Sequence, residues 1–186
     1  MKKILFFFLL AIIFSGCYDN LDEGCEEKFN FEKYPCAFLD KSTFDGLMIY
    51  DTFSSDDELL IIQKFVESIQ EKFILKPYTV ISYKQLHELE GDMYSRNTIF
   101  IGTCNTKPHN QFVNLFLDCL SMENDIAMMR IFEKNNSTII SVVGKDYKDT
   151  EEALYVLENY ANYNLSGNEI QVRNDESGAI FIRTTG

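Results

Sequence analysis

Cysteine and histidine are the residues of this chain whose types and spacing suggest chemistry. Cys104 follows a short apolar stretch that predicts a strand, and His109 lies five residues further on. A cysteine beside a histidine can form a thiolate nucleophile, and Cys104, His109 and Cys119 could also contribute to a zinc site. Structural zinc normally takes four ligands at tighter spacing, and the only other histidine is His87. We therefore expect neither a metal site nor catalysis at Cys104.

Disulfides are the alternative use of these cysteines, and the one that we favour. The chain has five cysteines. If Cys17 is lipidated, four remain, which is an even number in an oxidising compartment. Three pairings of those four are possible. Short local loops favour Cys25 with Cys36 and Cys104 with Cys119, and an oxidised Cys104 could not act as a nucleophile.

Other catalytic motifs are missing from the sequence. It has no Gly-x-Ser-x-Gly nucleophile elbow. Gly144–Asp146 lacks the glycine-rich run and the Ser or Thr of a phosphate-binding loop, and Gly102–Cys104 lacks the dinucleotide fingerprint. Acidic pairs such as Asp56-Asp57 stand at predicted helix starts, where capping explains them. The sequence therefore predicts a non-enzymatic protein without a cofactor.

The first seventeen residues have the pattern of a lipoprotein signal. Lys2-Lys3 precede the apolar run Ile4–Ile13, which is too short to span a bilayer comfortably. Small residues, Ser15-Gly16, then precede Cys17 as in a lipobox. We predict a signal peptide over residues 1–16, a lipid on Cys17 and an acidic tether over residues 17–30. An uncleaved anchor and plain secretion are the alternatives, and all three place the following domain outside the cytoplasm.

The net charge and the N-glycosylation sequons indicate what the surface of that domain can bind or carry. The net charge of −12 argues against nucleic acid as a partner, because an acidic body repels phosphates. Sequons begin at Asn135, Asn136 and Asn164, all in predicted turns. These three asparagines are candidate glycosylation sites. The expected contacts are with the membrane through the N-terminal lipid or anchor, and with other envelope proteins or further copies of the chain.

The elements around these residues predict an α/β fold. Thr138–Val143 is a run rich in β-branched residues, Glu151–Tyr163 has helical spacing of apolar residues, and Glu169–Arg173 reads as a further strand. Strand, helix, strand is the unit of a sheet covered by helices. We expect a single domain with a mixed, mostly parallel sheet flanked by helices. Two hairpins are expected in its C-terminal half, turning at residues 133–137 and 174–178.

Earlier elements extend the same pattern. Phe44–Tyr50 and Tyr78–Tyr83 predict strands, and the apolar spacing from Leu59 to Phe73 predicts a helix between them. Ser54 and Ser55 are candidate N-caps for that helix. Thr98–Ile101 is a further short apolar strand that stops at a glycine.

Several of these segments resemble archaeal S-layer proteins. Phe31–Phe38 followed by Phe44–Ile49 is similar to the family's N-terminal segment, and Ile99–Asn105 resembles its strand leading into a cysteine-containing loop. Ala127–Val172 is similar in residue types and spacing to the family's C-terminal segment. The resemblance covers most of the chain after Asn30. It implies a core fold over residues 31–186 and a location on the cell surface.

Two functions from different classes follow from these observations. The first is a non-enzymatic, lipid-anchored, S-layer-like module of the cell envelope that makes protein–protein contacts. The second is an extracytoplasmic ligand-binding or hydrolytic α/β domain. Its site would lie at the carboxyl ends of the strands, around Asp51, Gly102–Asn105 and Gly144–Asp146, where open α/β sheets place ligands.

Overall fold

A computed structural model describes residues 29–51, 55–77, 79–88, 94–104, 119, 122–175 and 179–184. Cys17 and Cys25 lie outside these ranges, together with the predicted signal peptide. Within the described part, no helix is both long and apolar enough to cross a bilayer. Phe29 is already buried in the core, although the sequence places it in the tether.

A seven-stranded sheet forms the centre of the described part. Its strand order is β10-β9-β7-β8-β6-β3-β5. A second, smaller sheet consists of β1, β2 and β4. The strands are β1 Leu39–Asp40, β2 Thr43–Phe44, β3 Leu47–Tyr50, β4 Ile74–Leu75, β5 Val80–Ser82, β6 Thr98–Thr103, β7 Ile126–Lys134, β8 Ser137–Gly144, β9 Glu169–Asn174 and β10 Ile180–Thr184.

The sheet is mixed, as expected, but the prediction that it is mostly parallel is wrong. Strands β5, β3, β6 and β8 are parallel neighbours, whereas β8–β7, β7–β9 and β9–β10 are antiparallel. The predicted strand–helix–strand unit is present as β8, a helix and β9. Its two strands run in the same direction but are not neighbours, because β7 lies between them. Strand β7, the antiparallel hairpin partner of β8, thus occupies the position beside β8 that β9 would take in a parallel pair.

Both predicted hairpins are present in the sheet. Lys134 pairs with Ser137, so β7 and β8 are joined by the two-residue turn Asn135-Asn136. Both asparagines have positive φ, 52° and 63°. Asparagine tolerates this conformation, and two such residues are the hallmark of the tight turn that suits twisted strands. Strands β9 and β10 form the second hairpin, which pairs Asn174 with Ile180.

Three α-helices lie in the described ranges. They are α1 Asp56–Lys72, α2 Tyr83–Glu88 and α3 Tyr147–Glu158. Ser55 caps α1 in a capping box with Glu58. Helix α3 begins four residues before the predicted Glu151, because the side chain of Asp146 accepts hydrogen bonds from the backbone N–H groups of Lys148 and Asp149. Asp146 is therefore the N-cap of α3.

One side of the large sheet, called the packed face here, carries most of the core. Helices α1 and α3 and the segment from Phe29 to Phe44 cover it. The buried apolar residues of α1 recur at helical spacing and face the sheet: Ile61, Ile62, Phe65 and Ile69. Leu59, where the predicted apolar spacing begins, is exposed instead. The core on this side includes Met48, Phe65, Ile69, Ile99, Ile101, Met129, Ile140, Val142, Leu157, Ile170 and Val172.

The opposite side of the sheet is covered unevenly. A second apolar cluster, which includes Ile49, Phe100, Ile139 and Val143, lies under α2 and Met122. Beyond it, the side of β7, β9 and β10 that faces away from α3 is open. We call this surface the open face; its side chains are Met128, Arg130, Glu169, Gln171, Arg173, Phe181 and Arg183.

Candidate functional site

The carboxyl ends of the parallel strands, where the sequence suggested a ligand site, are filled in the described part. The Thr103 hydroxyl donates a hydrogen bond to the carboxylate of Glu58, the N3 residue of α1. Both side chains are buried. The cavity beside them has a volume of about 10 Å³, too small for a ligand. Residues 105–118, which would border this place, are outside the described ranges.

Thr150 closes the same end of the sheet from the side of α3. Its Oγ1 donates to the carbonyl of Gly102 at 3.1 Å and accepts from the backbone N–H of Gly144 at 3.0 Å. A Cβ at Gly144 would clash with the backbone nitrogen of Thr150. Glycine is therefore required here by close helix–strand packing, and not to admit a phosphate. Asp51 is buried at the end of β3.

Cys104 and Cys119 are joined in the structure, with their Cα atoms 5.4 Å apart. In that state Cys104 has no thiolate, and His109, its suggested partner in catalysis or zinc binding, is outside the described residues. Cys36 is also disulfide-bonded. Its predicted partner, Cys25, and the predicted lipid site, Cys17, both fall in the part that the structure leaves undescribed.

The three sequon asparagines lie on the surface. Asn135 and Asn136 form the exposed turn of the first hairpin, and Asn164 is exposed after the short 3₁₀ helix Tyr160–Asn162. Their position permits glycosylation, and whether they carry glycans stays a prediction. None of the three is among the residues that line the open face.

The open face forms a concave surface on the described residues. Its cavity has a volume of about 470 Å³. Arg130, Arg173 and Arg183 line it, and the whole chain has only one other arginine, Arg96. Arg96 is used structurally, since it donates to the backbone and carboxylate oxygens of Asp45. An acidic protein thus gathers three of its four arginines on one surface.

Strand register explains why these arginines lie together. Arg173 of β9 stands opposite Ile126 of β7 and Phe181 of β10. Arg183 stands opposite Gln171. Because alternate residues of a strand point to the same side, the intervening Ile170 and Val172 face the core while the arginines face outward.

One of the three arginines is already paired. Arg130 Nε lies 2.5 Å from Glu169 Oε2, and both side chains are about one-third exposed. Arg173 and Arg183 are exposed, and neither forms an ion pair with another described residue. The open face therefore presents two available guanidinium groups, each with donors in the planar arrangement that fits a carboxylate.

Apolar side chains border the two guanidinium groups. Phe181 is 56% exposed, one of the few large apolar residues on the described surface. Met122 and Met128 form the floor beside it. Lys145 Nζ donates to the carbonyl oxygens of Cys119 at 3.1 Å and Met122 at 3.0 Å, which holds the segment carrying Met122 against the sheet. The surface can thus contact a ligand that is partly anionic and partly apolar.

The acidic groups with raised pKa values lie elsewhere, at the start of α3. Burial raises the pKa of Asp149 to about 6, and the nearby negative charges of Asp146, Glu152 and Asp125 act in the same direction. The backbone N–H of Asp146 donates to Asp149 and opposes the shift. Asp149 completes the capping box of α3, so its environment has a structural explanation.

The open face was not predicted from the sequence. A signal was available: Ile170 and Val172 alternate with Gln171 and Arg173, and the next strand continues with Phe181 and Arg183. Alternation shows that one side of the hairpin is polar, but it does not show whether a helix covers that side. Only the position of α3, on the side of Ile170 and Val172, leaves the arginines uncovered.

Comparison with known proteins identifies similar solved structures but no family for this chain. No family model matches the chain, and no curated protein matches it. Among solved structures, 44 chains are similar to it. One, from "Structure of CpGH84D", is 13% identical with a TM-score of 0.40, and the match covers 70% of this chain and 19% of that one.

A second similar structure is the family GH115 4-O-methyl-α-glucuronidase BtGH115A, which is described as specific for decorated arabinogalactans. It is 9% identical with a TM-score of 0.40, over 78% of this chain and 18% of that chain. This chain therefore spans less than a fifth of either protein. At these TM-scores the likeness carries no argument about fold or activity, and the S-layer resemblance stays a prediction.

Proposed function

We propose that this chain is a non-enzymatic protein-binding module of the cell envelope whose open face binds acidic groups on a partner protein. The observation that carries the proposal is the gathering of Arg130, Arg173 and Arg183 on one surface of a chain with net charge −12. Elsewhere the acidic surface repels an anionic partner, so electrostatic attraction directs such a partner to this face.

The pairing state of the arginines supports binding of carboxylates. Glu169 of β9 neutralises the charge of Arg130, which stands opposite it on β7. Arg173 and Arg183 then provide the available charge. A guanidinium group can donate two parallel hydrogen bonds to one carboxylate, and such charge-assisted bonds are stronger than neutral ones. Phe181 and Met128 supply the apolar contact that protein interfaces need beside their charges.

Two observations support a binding role over catalysis. Cys104, the one candidate nucleophile from the sequence, is bonded to Cys119. The carboxyl ends of the parallel strands are filled by Glu58, Thr103 and Thr150 in the described part. Among the described residues that line it, the open face has arginines, a glutamine, a phenylalanine and two glutamates, but no serine, cysteine or histidine.

The proposed location is the outer side of the membrane, with the chain held by a lipid on Cys17. It rests on the signal-like pattern of residues 1–17 and on the S-layer resemblance, which suggests other envelope proteins or further copies as partners. Mass spectrometry of the mature N-terminus tests it. A lipidated Cys17 supports the proposal; a mature chain that retains residues 1–16 argues for an uncleaved anchor instead.

Binding is tested with a labelled oligoglutamate peptide and fluorescence anisotropy. The variant Arg173→Glu/Arg183→Glu should weaken binding by about tenfold or more, since each charge-assisted hydrogen bond contributes about 1.5–3 kcal/mol. The control Lys84→Glu/Lys148→Glu makes the same change in net charge at exposed positions away from the open face. Equal losses in both variants, or no binding by the unaltered chain, would overturn the proposal.

A further inference from the structure

Strand β10 is the edge of the large sheet. It pairs with β9 on one side, and no other described strand pairs with its outer side. An edge strand presents backbone N–H and C=O groups that can pair with another extended chain. The outer edge of β10 also borders the open face directly, because Phe181 and Arg183 belong to both.

The two sides of β10 differ in chemistry. Ile180 and Ile182 are half-buried and pack against the main core on the packed face. Phe181 and Arg183 point to the open face, next to Arg173 and Gln171 of β9. Successive residues therefore alternate between an apolar environment and a cationic one.

A strand added to this edge would continue the alternation. Its side chains on one side would lie beside Ile180 and Ile182, where apolar residues gain from burial. Those on the other side would lie beside Arg183 and within reach of Arg173, where carboxylates are favoured. The complementary sequence is thus one in which acidic and apolar residues alternate.

We propose that β10 binds an extended segment of a partner protein in which acidic and apolar residues alternate, adding it to the sheet as an eighth strand. This inference rests on the proposed function, because it uses the same arginines, but it further specifies the shape of the partner. Backbone hydrogen bonds to the edge provide affinity, and the two side-chain environments provide selectivity. A second copy of β10 is a poorer occupant, since it would bring another Arg183 to an already cationic edge.

The first experiment compares two labelled peptides of identical composition on the full-length chain. In one, glutamate and valine alternate; in the other, all glutamates precede all valines. The alternating peptide should bind about tenfold more tightly, because several cross-strand pairs act together only in that pattern. Hydrogen exchange of the amides of residues 180–184 should slow when the alternating peptide is bound.

Backbone methylation of the alternating peptide provides a sharper control. Methylating the nitrogens of the valines blocks one edge of an extended peptide, and methylating those of the glutamates blocks the other, because successive N–H groups point in opposite directions. Since only one edge of the peptide would face β10, one methylated peptide should lose binding and the other should retain it. Equal binding by both would overturn strand addition.

A charge-reversed peptide distinguishes failure of this inference from failure of the proposed function. A peptide alternating lysine and valine should bind the Arg173→Glu/Arg183→Glu variant and not the unaltered chain. Suppose that the alternating peptide binds no more tightly than the peptide in which all glutamates precede all valines, and that both depend on the arginines. Strand addition then fails while the proposed function stands. If neither acidic peptide binds, both fail. If residues 180–184 are protected by concentration-dependent self-association without peptide, the occupant is a second copy and this inference is overturned.

Discussion

The two faces of β7 and β9 are built from neighbouring residues and serve different purposes. On the packed face, Met129, Ile170 and Val172 are almost completely buried under α3. One residue further along each strand, Arg130, Gln171 and Arg173 line the open face. The period of two in a strand keeps these sets apart, so residues of the open face can change without changing the core.

The faces also differ in what holds their side chains in place. The packed face depends on close packing, in which a lost side chain leaves a cavity. The open face depends on charge and on strand register, and its residues are at least partly solvated. We therefore expect the same substitution to have very different effects on the two faces.

The sharpest comparison uses two phenylalanines. Phe65 of α1 is 2% exposed against the packed face, whereas Phe181 on the open face is 56% exposed. Phe65→Ala should lower the free energy of unfolding by about 3–5 kcal/mol, because it leaves a cavity. Phe181→Ala should change it by about 0.5 kcal/mol or less. Urea unfolding measures both, and comparable losses in the two variants would contradict the distinction between the faces.

The Cys104–Cys119 bond lies on the side of the sheet opposite the packed face, against the second apolar cluster. Cys104→Ser/Cys119→Ser should lower the free energy of unfolding by about 3 kcal/mol in the chain-entropy model, given the separation of 15 residues. Urea unfolding measures the loss. Alkylation of the unfolded, unreduced native chain is the accompanying control: modification at Cys104 would show that the bond is absent from the mature protein.

Titration of Asp149 affects the helix that covers the packed face. Burial raises the pKa of Asp149 to about 6, above its unfolded value of about 3.9. The ionised carboxylate therefore destabilises the fold above about pH 6, and this cost disappears as the pH falls toward about 4. Relative to Asp149→Asn, the native chain should gain stability between about pH 7 and about pH 4.

Urea midpoints of the two proteins at several pH values measure this difference. The substitution Asp57→Asn, at an exposed position in the first turn of α1, serves as a control for removing an acidic residue from a helix start. A stability difference between the native chain and Asp149→Asn that stays constant over the pH range would mean that Asp149 has an ordinary pKa.

The smallest expected effect concerns the ion pair on the open face. Arg130 and Glu169 are about one-third exposed, so water and salt screen their attraction. A double-mutant cycle with Arg130→Gln and Glu169→Gln should give a coupling of about 0.2–1 kcal/mol, as for other solvated pairs. A coupling of several kcal/mol would show that the open face is held together much as the packed face is.

Sequence alone predicted the local features of this fold well. The β-branched run of β8, the Asn135-Asn136 turn and the second hairpin depend on residues close in the chain, so their patterns are readable. The α/β class and the mixed sheet follow from the same elements. The start of α3 was misplaced because Asp146 and Asp149 are both good capping residues, and the choice between them depends on the packing of Thr150 against Gly144.

Long-range features could not be predicted in the same way. Nothing in the local pattern indicates that β7 lies between β8 and β9, since that depends on strand pairing across the whole sheet. The open face depends in turn on that order and on the side taken by α3. The lipid on Cys17 and the pairing of Cys25 stay predictions, because both residues lie outside the described ranges.

The place of β7 in the sheet also constrains the order in which the chain can fold. Strand β9 can form its hairpin with β10, but it joins the rest of the sheet only through β7, and α3 separates it from β8 in the chain. The β7–β8 hairpin closes through a two-residue turn, and hairpins form within about 1–10 μs. We infer that this hairpin belongs to the folding nucleus and that β9 and β10 join late. Stopped-flow kinetics should then show Val142→Ala slowing refolding and Val172→Ala mainly accelerating unfolding. If instead Val172→Ala slowed refolding and Val142→Ala mainly accelerated unfolding, the second hairpin would be the one that nucleates the sheet.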